Sequence, residues 1–149
     1  MNKNKLLVIW GSVVFIIAAY SLVWYIVSYK PYAKYEEGFK EFDKSGKKLY
    51  VDNEGYTYSV KKPDYFTWTG NLAIVDMEDK ASLIIWPIDN GKNMEVGVII
   101  EDNGVSNQIE LKDKKTAVYD DQQELVNQYN EQIEILYNKA NEVWGIGID

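Results

Sequence analysis

The chain has no cysteine, no histidine and no arginine among its 149 residues. The missing cysteine removes disulfides, thiol catalysis and thiolate metal sites, and it removes the acceptor that a lipobox needs. The missing histidine is the sharper absence. It takes away the usual general base near neutral pH and the commonest metal ligand. Without arginine there is no guanidinium fork for phosphate or carboxylate. Positive charge is short as well: 16 lysines face 23 acids, for a net charge of −7. No cofactor and no metal are expected from such a set.

One long apolar run organises what is there. The 22 residues from Leu6 to Val27, LLVIWGSVVFIIAAYSLVWYIV, carry no charge and no proline. As a helix they span about 33 Å, against a hydrocarbon core of about 30 Å. A helix also satisfies its own backbone hydrogen bonds, as lipid requires. The run is apolar all round and is predicted to cross a membrane rather than to sit in a core. Trp24, Tyr25, Tyr29 and Tyr32 cluster at its far end, where amphipathic rings favour the interface.

Lys3 and Lys5 precede the run, in the form of an export signal. The best small-residue pair for cleavage, Ala19 and Ser21, is followed at once by LVWYIV, which is still apolar. An uncleaved signal anchor is therefore preferred to a cleaved peptide. Orientation has two opposing indications. The lysine count, with Lys30, Lys34, Lys40, Lys44, Lys47 and Lys48 on the far flank, favours the C-terminal part inside. The short tail and its export-signal form favour it outside, and that reading is adopted. Residues 1–29 are then a short cytoplasmic tail and transmembrane signal anchor, and 30–149 one extracytoplasmic α+β domain of ordinary size.

Fourteen of the lysines and all 23 acids follow the run, which leaves the domain nine charges negative. Nucleic acid and anionic headgroups are discounted as partners on that ground. Abundant Lys, Asn and Ile without Arg suggests an AT-rich bacterial genome.

Pro31 interrupts the first helix or starts the next. Tyr32 to Lys44 is predicted as a short amphipathic helix, with Tyr32, Tyr35, Phe39 and Phe42 on one face and Ser45-Gly46 as its end. Strands follow around recognisable turns. Asp52 to Gly55 joins two strand-like runs. Tyr65 to Gly70 is aromatic and β-prone, with a bend at Gly70-Asn71. Leu72 to Val75 and Leu83 to Trp86 flank Glu78-Asp79-Lys80 and are continuously apolar, as in central strands covered on both faces. Pro87 ends the second of these. Asp102-Asn103-Gly104 is the strongest hairpin signal, and Thr116 to Tyr119 adds an edge strand.

A helix from Asp120 to about Trp144 closes the chain. Asp120 and Gln123 have capping-box spacing. Leu125, Tyr129, Ile133, Leu136, Tyr137, Ala140, Val143 and Trp144 form its stripe, and Gly145 ends it. The fold class is α+β: a transmembrane helix, a short amphipathic helix, an antiparallel meander of about five to seven strands, and a C-terminal helix packed on the sheet.

Candidate sites are weak. Asp52 to Gly55 and Asp89-Asn90-Gly91 offer oxygens near glycine but lack the full calcium-loop ligand set. Ser59 with Lys62, and Ser45 with Lys48, have Ser-x-x-Lys spacing without the helix that such a nucleophile needs. Asp64 and Asp76 are the acids nearest to aromatic residues, as a carboxylate-dependent hydrolase would require. Gly11-Ser12 and Ala18-Ala19 allow close helix approach, without a small-xxx-small pair of glycines. Tyr65, Phe66, Trp68 and Trp86 are the candidate binding surface. The preferred function is a membrane-anchored, non-enzymatic domain that binds a protein or cell-envelope partner. The alternatives are a cytoplasm-facing accessory or immunity-type protein, and a carboxylate-dependent hydrolase.

Overall fold

A computed structural model describes residues 3–41, 47–76, 78 and 81–149. The expected positions of Lys44, Phe42 and the Ser45-Gly46 cap, and most of the Glu78-Asp79-Lys80 loop, lie outside those residues. Helix α1 covers Lys3–Trp24 and buries none of its residues against protein. It continues through a π turn, Tyr25–Tyr29, and a 3₁₀ turn, Lys30–Tyr35. Pro31 has no N–H to donate back into the helix, so the hydrogen-bond pattern changes around it. Among the described residues this is the one helix long and apolar enough to cross a membrane.

Eight strands follow: β1 (Lys40–Glu41), β2 (Lys48–Val51), β3 (Thr57–Lys61), β4 (Asn71–Asp76), β5 (Ala81–Ile88), β6 (Asn93–Asp102), β7 (Val105–Asp113) and β8 (Thr116–Ala117). They form one antiparallel sheet in sequence order, a plain meander. The β6–β7 hairpin turns at Asn103 (φ 49) and Gly104 (φ 78), the paired positive angles that an Asn-Gly turn supplies. The chain closes with α2 (Gln123–Gln128) and α3 (Asn130–Trp144).

The core lies between one face of the sheet and α3. Two cross-strand rows build that face. One runs Val60, Leu72, Ile85, Val96, Leu111 and Ala117, and the other Tyr58, Ile74, Leu83, Val98 and Ile109. Ile133, Leu136, Tyr137 and Ala140 of α3 are buried on them. Leu125, Tyr129, Val143 and Trp144 pack around the edge. The predicted stripe therefore faces the core within α3, but in α2 the fully buried residue is Val126, which the stripe leaves out. Gly145 (φ 60) ends α3, and its N–H bonds the Asn141 carbonyl at 2.9 Å.

Five expectations are corrected. The short helix ends at Tyr35, not Lys44. Gly38 (φ 83) then reverses the chain, and Lys40–Glu41 joins the sheet. The C-terminal helix is broken at Tyr129, whose hydroxyl donates to Asp102 at 3.1 Å. Asp120 makes no capping box. Gln123 instead accepts from the Ala117 N–H and donates to the Lys115 carbonyl. Pro87 does not end β5: pairing with β6 runs on through Pro87 and Ile88, while pairing with β4 stops at Ile85, and a strand edge open on one side accommodates a residue without an N–H. Finally, β4 and β5 are not covered on both faces. Burial alternates along β5, and Ala73, Val75, Ile84, Trp86 and Ile88 on the second face are only half-buried.

Candidate functional site at the anchor and the aromatic loop

The end of the first helix is part of the core. Tyr32 and Tyr35 are 3% and 2% exposed. The Tyr32 hydroxyl accepts from the Gly70 N–H at 2.8 Å, and the Trp144 indole N–H donates to the Tyr35 carbonyl at 3.1 Å. Glu36 ion-pairs with Lys62, whose ammonium also sits 4.5 Å from the centre of the Tyr29 ring. Lys48 adds a longer contact to Glu36 at 3.8 Å. The helix thus joins the sheet through one short turn, residues 36–39.

Tyr65 to Gly70 is not a strand. Asp64 to Thr67 forms a turn, with the Thr67 N–H on the Asp64 carbonyl at 2.9 Å and the Asp64 N–H on Thr67 Oγ1 at 2.8 Å. The loop lies against the last turns of α1. The Tyr20 hydroxyl donates to the Tyr65 carbonyl at 3.1 Å. The Trp24 indole N–H is shared between the carbonyls of Asp64 (3.1 Å) and Thr67 (3.0 Å). Ser21 donates its proton to the Ile17 carbonyl, so in its 2.6 Å contact with Tyr65 the phenol is the donor. Tyr20 packs edge-on against Tyr65 and Trp68, at centroid distances of 5.4 and 5.9 Å.

Of the candidate surface, Tyr65, Phe66 and Trp68 therefore come together on this loop, and Trp86 does not join them. Trp86 lies on the second face of the sheet, over Gly97. A Cβ there would stand 3.1 Å from the indole ring. Two cavities flank the intervening Thr69. One, of about 290 Å³, lies between Val27, Ser28, Pro31, Tyr32, Trp68 and Ile88. Ser28 Oγ is buried there without a hydrogen-bond partner. The other, of about 280 Å³, lies beneath Trp86, between Glu95, Gly97, Gln108 and Glu110.

The other candidates are placed elsewhere. Asp64 lies in the loop that follows Lys61, which pairs with Asn71 at the start of β4, whereas Asp76 ends that strand, about 16 Å further along. Lys62 is committed to Glu36, and Ser59 is buried in β3. The Asp52 carboxylate is saturated with donors. The Glu54 and Tyr56 N–H groups reach Oδ1 at 2.9 and 3.0 Å, and the Tyr58 hydroxyl reaches Oδ2 at 2.8 Å. Lys139 of α3 lies 3.5 Å from Asp52 and 2.9 Å from Glu54. This is a clip between hairpin and helix. Asp89 accepts from Asn93 at 2.7 Å. Among the described residues no group of three acids could hold a metal ion.

The clip has a measurable consequence. Burial opposes the charge on Asp52, but the bonds from Tyr58, Tyr56 and Glu54, with Lys139 nearby, outweigh it and hold the pKa below 3.8. Asp52→Ala leaves the buried Tyr58 hydroxyl unpaired and should cost about 1–3 kcal/mol. Because the folded pKa is lowered, this stabilisation is present above the unfolded value and is lost as pH falls through the folded one. Thermal melts of wild type and Asp52→Ala should differ most at pH 7, and the difference should narrow in acid. A constant difference across that range would contradict the clip.

The sequence marks Trp24 as an interfacial ring and Tyr65 to Gly70 as aromatic, but not Tyr20 or Ser21, nor the contact of Tyr20, Ser21 and Trp24 with that loop. One signal was present: Tyr20 and Trp24 sit four apart with Ser21 between them, which gathers hydrogen-bonding side chains on one side of an apolar helix. Comparison of the chain with family models, curated proteins and solved structures finds no match.

Proposed function

We propose that this chain is a single-pass membrane protein whose folded part is held against the outer surface of the membrane. It works by binding a protein or cell-envelope partner, not by catalysis. The observation that carries this reading is the set of bonds from Tyr20 and Trp24 to the loop carbonyls of Asp64, Tyr65 and Thr67. A leader destined for removal has no use for such contacts, and cleavage near Ala19 or Ser21 would sever the domain from its own helix. The anchor thereby sets how the half-exposed face with Ile84 and Trp86 is presented. The separation of Asp64 from Asp76 weighs against the hydrolase reading. The domain's negative charge keeps nucleic acid out of the partner set.

The test uses the absence of cysteine. Asn103→Cys places one thiol at the exposed β6–β7 tip. Membranes are washed in alkaline carbonate, and intact and lysed cells are treated with a membrane-impermeant maleimide. Retention in the membrane with labelling of intact cells is the expected result. Retention with labelling only after lysis would reverse the orientation and favour the cytoplasm-facing accessory or immunity-type reading, which the lysine flank supports. Release by carbonate would remove the anchor reading.

A further inference from the structure

We propose that the loop from Asp64 to Thr69 is a second membrane contact, seated in the interfacial layer beside α1 and carrying Phe66 to the acyl-chain boundary. This rests on the reading of α1 as a membrane span. Depth is the first reason. The apolar run begins after Lys5, and about 20 helical residues cross a hydrocarbon core of about 30 Å, which brings the far boundary close to Tyr25. Tyr20 and Ser21 then lie about 6 to 8 Å inside that boundary, at 1.5 Å per residue. Both touch the loop. A boundary short of Tyr20 would leave about 21 Å of helix to cross 30 Å, and tilting the helix only draws more of it into the membrane.

Backbone chemistry is the second reason. Irregular backbone is tolerated at membrane depth only where its polar groups are satisfied by protein. The carbonyls of Asp64, Tyr65 and Thr67 meet that condition through donors that come from the anchor itself. In return, the loop accepts the two ring donors that α1 would otherwise carry without partners into lipid. The third reason is side-chain character. Phe66 is 85% exposed and sits edge-on against Tyr65, on a loop that also shows Trp68 to solvent. Water is a poor solvent for that group of rings, and the interface of a bilayer is a good one. The occupant of this surface is lipid of the membrane that α1 already crosses.

The experiment is a depth measurement on the full-length protein in dioleoylphosphatidylcholine vesicles. Single nitroxides are attached at Phe66→Cys, at Val13→Cys in mid-anchor, and at Val105→Cys in the distal hairpin. Phe66 and Val105 are both exposed, so neither change disturbs the core, and the label's own affinity for lipid is common to all three sites. Collision with oxygen is compared with collision with a water-soluble nickel chelate. The expected result is an oxygen-to-nickel ratio at position 66 several-fold above that at 105 and shifted toward that at 13. If 13 is deep but 66 matches 105, the loop stands in water and the proposal is overturned while the anchor reading survives. If 13 also matches 105, α1 does not span the bilayer, and both fall.

Discussion

Gly70→Ala should remove a large part of the protein's stability. A Cβ on Gly70 would lie 2.1 Å from the Lys61 carbonyl oxygen and 3.0 Å from backbone atoms of Lys62 and Pro63. These are main-chain atoms, so no side chain can rotate away to make room. They are also the base of the aromatic loop, where the chain leaves β3 and returns to β4. Moving them breaks the Gly70 N–H bond to Tyr32 and shifts the Lys61–Asn71 pair. A steric conflict of this kind belongs among the few single changes that cost about 4 kcal/mol or more. The whole stability of a domain is only about 5–15 kcal/mol. Near-UV circular dichroism and limited proteolysis of the full-length protein in detergent should show fixed packing lost at a much lower temperature than in wild type. Gly11→Ala is the matched control, since a Cβ there meets nothing within 4 Å. A Gly70→Ala protein that melts within a few degrees of wild type would show that the two loop ends do not approach so closely.

A pair of truncations should give the second large effect. A fragment from Lys30 to Asp149 keeps Pro31, Tyr32 and Tyr35, and should fold in water without metal. A fragment from Glu36 loses both buried tyrosines, along with the bonds to Gly70 and Trp144. Deleting a large buried ring costs about 3–5 kcal/mol, so two cost about 6–10. That is comparable with the whole stability of the domain. Amide NMR spectra should be well dispersed for the longer fragment and collapsed for the shorter one. Equal dispersion would mean that the two tyrosines are not core residues. Collapse of both would mean that the domain cannot stand without the anchor.

Much of this fold was legible in the sequence where a pattern is local. Ile133, Leu136, Tyr137, Ala140, Val143 and Trp144 of the stripe name the core-facing side of α3. Asn103-Gly104 and Gly145 mark a hairpin and a helix end, because positive backbone angles favour those residue types. The failures fall where the deciding partner is remote. Tyr65 to Gly70 has strong β-propensity, and propensity cannot distinguish a strand from a loop whose rings pack on a helix 44 positions earlier. The spacing of Tyr32, Tyr35 and Phe39 does describe residues that reach the core or pack on it. It does not show that Gly38 reverses the chain between them. The continuous apolar runs in β4 and β5 suggested two covered faces. Alternating burial shows instead that the second face lacks a covering layer among the described residues. Of the candidate surface, three residues are neighbours and Trp86 stands apart, a division that depends on register and not on composition.

The bond between Trp144 and the Tyr35 carbonyl spans 109 positions, and that separation is also an interval of time. At a synthesis rate of about 5–20 residues per second, about 5–20 seconds pass between the making of Tyr35 and that of Trp144. On the proposed reading α1 enters the membrane before the strands are made, and Tyr32 and Tyr35 then await Trp144 beside it. The strands emerge in the order in which they pair, so each hairpin can form as it is completed. The core cannot close until α3 arrives. Completion of the core thus depends on the last helix to be made.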